Sequence, residues 1–168
     1  MEKEGMYPCH VWGMENAGEA YEALRGELVK DYGEDTCLGD GTVLHDNYMW
    51  DEGGRCLIRC KECGGLVLRQ ASEYHSFSDD DGDGYYRDWV PVSSVEEADL
   101  LNILWDVLEM ENHPFRGLRK DNGRLSWTGG EEPRPYDPEE LRRMIRAKYP
   151  GVNREALEEK MGKAGEEE

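Results

Sequence analysis

The stretch Cys60-Lys61-Glu62-Cys63-Gly64-Gly65 constrains this chain more than any other. Two thiols three positions apart, followed by glycines, can wrap one tetrahedrally coordinated ion. Glycine permits the left-handed turn that aims backbone N–H groups back at the sulfurs. Short β-like runs flank the pair, Arg55-Cys56-Leu57-Ile58-Arg59 before it and Leu66-Val67-Leu68-Arg69-Gln70 after it. The pair is therefore expected at the tip of a hairpin.

A tetrahedral site needs further ligands, and Cys9, His10, Cys37, His45, Cys56 and His75 are the candidates. In an extended run Cys56 lies about 13 Å from Cys60, too far to share one ion, so it is read as strand core. Cys9 and Cys37 stand in loops containing proline or glycine on either side of the first predicted helix, where a side chain can be aimed. The preferred set is Cys9, Cys37, Cys60 and Cys63, with His10 and His45 as substitutes. Thiolates select zinc, with iron as the alternative. Four protein ligands leave no open position, so the ion would be structural. The competing reading is a free thiol pair. A thioredoxin-type pair opens a helix, however, and this one closes a hairpin.

Five cysteines with one close pair fit metal ligation in a reducing compartment better than a disulfide framework. Residues Met1-Glu2-Lys3-Glu4-Gly5 lack a secretory leader's pattern, and no apolar run approaches a membrane span. A soluble cytoplasmic protein is expected. Mean hydropathy is -0.86 and net charge -18, so the core is lean and an ion would help to hold it. Such a field repels nucleic-acid phosphates and favours a basic protein surface as partner.

Along the chain, Asn16 reads as the cap of a helix over 16–32, with Ala17, Ala20, Tyr21, Leu24 and Leu28 at helical spacing. Strands are expected over 42–50, 55–59, 66–74 and 85–92. Ser94-Val95-Glu96-Glu97 is a capping box opening a helix that carries Ala98, Leu101, Leu104, Trp105 and Leu108. Asn122-Gly123 marks a tight turn between two short strands. Asp137-Pro138 and Asn153 each begin a further helix. This order predicts an α+β fold, a small antiparallel sheet with the metal-binding hairpin packed by about three helices. The division expected is a metal-stapled domain over 1–130 and a helical extension with an acidic tail over 131–168.

The loop Asp79-Asp80-Asp81-Gly82-Asp83-Gly84 matches the first half of a calcium-binding EF-hand loop. Its twelfth position is Val90, where a bidentate glutamate is required, so calcium is not expected. Asp79, Asp80, Asp81 and Asp83, followed by Tyr85 and Tyr86, instead suit a docking face with acidic steering and aromatic anchors. No nucleophile elbow or phosphate-cradling loop is present.

Residues 55–70 resemble a zinc-ribbon knuckle. Arg59-Cys60, Cys63-Gly64, the run 72–77 and the run 88–92 resemble a family of small bacterial proteins with no activity attached. The residues predict a non-enzymatic, zinc-binding interaction protein. One version is an inhibitor, of anti-defence or immunity type, whose carboxylates stand in for nucleic-acid phosphates toward a basic partner. The alternative is a zinc-ribbon regulatory module contacting nucleic acid or the transcription apparatus, favoured locally by Arg55, Arg59, Lys61 and Arg69.

Overall fold

Alternation along the strands builds a sheet with two apolar faces. The computed structural model describes residues 5–33, 35–46, 53–74 and 84–166. Strands β1 (Gly26–Gly33), β4 (Gly53–Cys60), β5 (Leu66–Tyr74), β6 (Gly84–Val92), β7 (Gly117–Asp121) and β8 (Arg124–Thr128) form one antiparallel sheet in the order β1-β4-β5-β6-β7-β8. Strands β2 (Asp35–Cys37) and β3 (Val43–Asp46) form a separate pair. Helices α1 (Ala17–Ala23), α2 (Val95–Leu104), α3 (Val107–Glu111), α4 (Pro138–Lys148) and α5 (Arg154–Gly162) complete the described elements. The antiparallel α+β arrangement expected from the sequence is the one observed.

In β5, Leu66 and Leu68 point to one face and Val67 to the other. The first face joins Leu57, Val90 and Val92 to Leu100, Leu101 and Leu104 of α2, Leu141 and Ile145 of α4, and Leu157 and Met161 of α5. The C-terminal helices therefore share the core of α2. On the second face a smaller cluster gathers Cys9, Val11, Trp12, Ala17, Ala20, Cys60, Val67, Trp89 and Leu118.

Local chemistry sets the element ends. Ser94 Oγ accepts from Glu97 N–H at α2, Asn153 Oδ1 accepts from Ala156 N–H at α5, and Asp137 caps α4 with Pro138 in its first turn. Trp105 ends α2, so Leu108 belongs to α3, which starts afresh on the Asp106–Glu109 capping box. The C-terminal carbonyls of α2 are met by basic side chains from three other elements. Arg55, 2% exposed, donates to the carbonyls of Asn102 (3.3 Å) and Trp105 (2.9 Å) and to the side chains of Asn102 and Gln70. His45 Nε2 lies 2.9 Å from Asn102 O, and Lys148 donates to Leu104 O. Burial lowers the Arg55 pKa to about 10, which leaves it charged at neutral pH.

One expected helix is a correction. The segment over 16–32 is helical only from Ala17 to Ala23, and from Gly26 it becomes the edge strand β1. Gly26 pairs with Cys60 and Glu27 with Arg59, and a Cβ at position 26 would stand 2.5 Å from Ile58 Cδ1. Pairing with β4 thus overrides the helical spacing of Leu24 and Leu28, and Leu28 is left exposed.

Candidate metal centre

The turn between β4 and β5 is closed by its own backbone. Gly64 N–H donates to Cys60 O at 2.9 Å, and Cys60 N–H donates to Gly65 O at 2.8 Å. Gly64 sits at φ +74, the left-handed region that such a turn needs. Gly65 serves close approach instead, because a Cβ there would stand 2.9 Å from Cys9 Cα and 2.7 Å from Met6 O. The N-terminal arm therefore lies directly on the knuckle, and Met6 N–H donates to Cys63 O at 3.1 Å.

That arm carries two ligands in succession. Cys9 is extended (φ -47, ψ 142) and caps a 3-10 turn, His10–Gly13, whose Trp12 N–H returns to Cys9 O at 2.9 Å. The change from extended to turned backbone lets the neighbouring side chains Cys9 and His10 reach the same point. Val11 and Trp12 anchor the turn in the smaller core, and Trp12 Nε1 donates to Arg116 O.

Cys9, His10, Cys60 and Cys63 present four ligand atoms, all within 4.8 Å of one another. Cys9 Sγ is 3.6 Å from Cys63 Sγ. His10 Nδ1 is 3.8 Å from Cys9 Sγ and 3.7 Å from Cys60 Sγ. With metal bonds of about 2.3 Å to sulfur and about 2.0 Å to nitrogen, a tetrahedron puts sulfurs about 3.8 Å apart and sulfur and nitrogen about 3.5 Å apart. The residues present fit a tetrahedral ion held by three thiolates and one imidazole. Cys9 and Cys60 are buried, while His10 and Cys63 are partly exposed.

The surrounding hydrogen bonds suit thiolates. Gly65 N–H donates to Cys63 Sγ at 3.4 Å. Burial pushes the Cys63 thiol up, but the backbone and ring of His10, the N–H of Gly65 and the Cys9 thiol outweigh it and bring the pKa down to about 6. Cys9 behaves oppositely. Its burial holds it well above the usual thiol range, against a backbone hydrogen bond from Val11 that favours the thiolate. On its other side the His10 ring meets a carboxylate, Nε2 lying 3.0 Å from Glu62 Oε2.

Of the expected set, Cys9, Cys60 and Cys63 come together and Cys37 does not. Cys37 ends β2, paired with Val43 of β3, and His10 takes its place. His45, the other substitute, is committed to the end of α2. Cys56 was expected in the strand core, but it is only partly buried, pairs with Arg69 and Asp31 across the strands and belongs to neither apolar cluster. His10 was legible as the immediate neighbour of a ligand cysteine.

Of the expected docking residues, Asp79, Asp80, Asp81 and Asp83 lie outside the described residues, as do His75 and the loop compared with an EF-hand. Tyr85 lies in β6, and half-buried Tyr86 carries the Arg119 guanidinium 6.0 Å above its ring. A cavity of about 350 Å³ between β1, α2 and the end of α5 lies apart from the metal centre. There Lys30 Nζ and the Tyr32 hydroxyl both donate to Asp99, which also accepts from Gly165 N–H. Among the described residues, no helix is long and apolar enough to cross a membrane. Comparison with family models, with curated proteins and with solved structures finds no match.

Proposed function

We propose that the chain is a zinc-braced, non-enzymatic binding protein whose ion clamps the N-terminal arm onto the β4–β5 turn. The observation that carries this reading is the set of four donors, Cys9, His10, Cys60 and Cys63, all within 4.8 Å of one another, with the Cys9–Cys63, Cys9–His10 and Cys60–His10 separations close to those of a tetrahedral shell. Bound there, zinc would supply a cross-link between distant parts of the chain. All four positions would be filled by protein, which leaves none for an activated water. Thiolates with one imidazole suit zinc, and iron is the competitor.

The partner proposed is a basic protein surface, attracted by a net charge of -18. An inhibitor that displaces nucleic acid from such a surface is the specific form, with Asp79, Asp80, Asp81 and Asp83 as the mimicking carboxylates. Exposed Arg25, Arg59 and Lys61 near the knuckle favour a second reading, a regulatory module that touches nucleic acid with that turn. Two measurements separate them. A basic partner should release with rising salt and bind far more weakly when the four aspartates become asparagine. Unchanged binding by that variant contradicts the inhibitor reading. A shifted band with nucleic acid at low salt, abolished by Lys61→Glu, would establish the second.

A further inference from the structure

The metal reading fixes which atoms could hold the ion but leaves open what aims the imidazole. Three sulfurs come from two distant segments, each cysteine carried by a hydrogen-bonded turn. A histidine ring can rotate, and only one of its nitrogens can face the sulfurs. Here Nδ1 faces them, at 3.7 Å from Cys60 Sγ and 3.8 Å from Cys9 Sγ, while Nε2 faces outward. The group that meets Nε2 is Glu62, at 3.0 Å, one of the two residues between the paired cysteines.

We infer that Glu62 is the positioning residue of the metal centre: its carboxylate accepts a hydrogen bond from His10 Nε2–H and so presents His10 Nδ1 to the ion. This rests on the zinc reading above and goes beyond it, because Glu62 is not a ligand in that reading. Two chemical consequences follow from one contact. The carboxylate fixes the tautomer, with the proton on Nε2 and the lone pair on Nδ1. It also raises the electron density of the ligating nitrogen, as carboxylates behind metal-bound histidines do.

The knuckle explains why position 62 can do this. Cys60 and Cys63 are fixed by the turn, Lys61 N–H is tied to Arg25 O at 2.8 Å, and Glu62 is left at the tip with its side chain 57% exposed. The same turn that delivers two thiolates therefore delivers the acceptor for the imidazole brought by the other segment. An exposed hydrogen bond to a carboxylate contributes little to folding by itself, since water competes for both partners. The effect of Glu62 should consequently appear in metal affinity and ligand geometry, with little change in the stability of the metal-free chain.

The test is zinc affinity by competition with a chromophoric chelator, on the full chain, for wild type, Glu62→Ala, Glu62→Gln, His10→Ala and the double variant Glu62→Ala/His10→Ala. Carboxylates behind metal-bound histidines are worth about 10- to 100-fold in affinity, and an exposed one belongs at the lower end, about 10-fold for Glu62→Ala. Glu62→Gln, whose amide oxygen still accepts from Nε2–H, should recover most of that loss. Once His10 is alanine, adding Glu62→Ala should cost nothing further. The cobalt-substituted protein should show altered ligand-field bands in Glu62→Ala and wild-type bands in Glu62→Gln. Equal affinity and identical cobalt spectra for Glu62→Ala and wild type, with His10→Ala still weakened, would overturn the inference and leave the zinc reading standing. An undiminished Glu62→Ala penalty in the His10→Ala background would also overturn it. A wild-type chain that takes up neither zinc nor cobalt would remove the zinc reading itself and this inference with it.

Discussion

The two faces of the sheet are held in different ways. Under α2, α4 and α5 lies a large apolar cluster, with Leu57, Leu68, Leu100, Leu141 and Ile145 fully buried. Under α1 and the 3-10 turn lies a smaller one, which mixes Val11, Trp12 and Val67 with the sulfurs of Cys9 and Cys60. The first is built from aliphatic and aromatic side chains of the sheet and the helices. The second covers an N-terminal arm of few residues, and four polar ligands converge where more hydrocarbon would otherwise be needed. The comparison teaches that a lean, acidic chain can concentrate its apolar residues on one face and gather four metal-type donors on the other.

Removing the proposed ion is the strongest way to break that contrast. Structural zinc contributes on the order of 10 kcal/mol where a small fold depends on it alone. With a chelator, or in Cys60→Ser, the amides of Met6, Lys61 and Gly64 should lose protection from hydrogen exchange, while those of α2 and α4 keep theirs. Simultaneous loss on both faces would show that the ion organises the whole sheet.

A cavity on the apolar face should act the other way round. Leu101, 1% exposed, packs in the large cluster, and Leu101→Ala should cost about 2–5 kcal/mol by chemical denaturation. That cost should be the same with and without the chelator, because distant sites add. A cost that changes with metal would couple the two faces.

Acid should also weaken the apolar side through His113. Its ring stacks on Trp105, and burial first, then the charge of Arg119, lowers its pKa from 6.5 to about 4. Between those values the unfolded chain binds the extra proton, so stability present above pH 6.5 is lost as pH falls toward 4, by about 3 kcal/mol at most. Neighbouring Asp88 has the opposite sign. Burial, against the hydrogen bond and charge of Arg119, raises its pKa to about 6, so its share of stability falls as pH rises from 3.8 to 6. The two offset in wild type. His113→Gln should therefore gain on wild type as pH drops through that window, and parallel pH curves would contradict the assignment.

Two smaller effects sharpen the contrast. Ser94→Ala removes the cap of α2 and should cost about 1 kcal/mol by denaturation, with metal content unchanged. Cys37→Ser should leave both metal stoichiometry and affinity as they are, since Cys37 lies in β2 beside Val43.

Much of the apolar side was legible because its signals are local. Ser94, Asp137 and Asn153 cap helices where side-chain chemistry says they must, and Asn122-Gly123 turns β7 into β8 with both residues at positive φ. Half of the metal centre was equally local, since Cys60 and Cys63 carry their own turn. The rest depends on chain pairing that a sequence does not print. Leu24 and Leu28 keep helical spacing, yet β4 draws 26–33 into the sheet. Cys37 and His10 were comparable ligands until β3 paired with one and the knuckle approached the other. Glu62 sat in plain view between the cysteines, but its role needs the arm that brings His10 to it.

X-ray absorption at the metal edge of the purified chain tests the central claim most directly. One zinc per chain should give three sulfurs at about 2.3 Å and one nitrogen at about 2.0 Å, with the nitrogen lost in His10→Cys. A four-sulfur shell in wild type would return Cys37 to the site, and a chain without zinc would leave the second face with no brace.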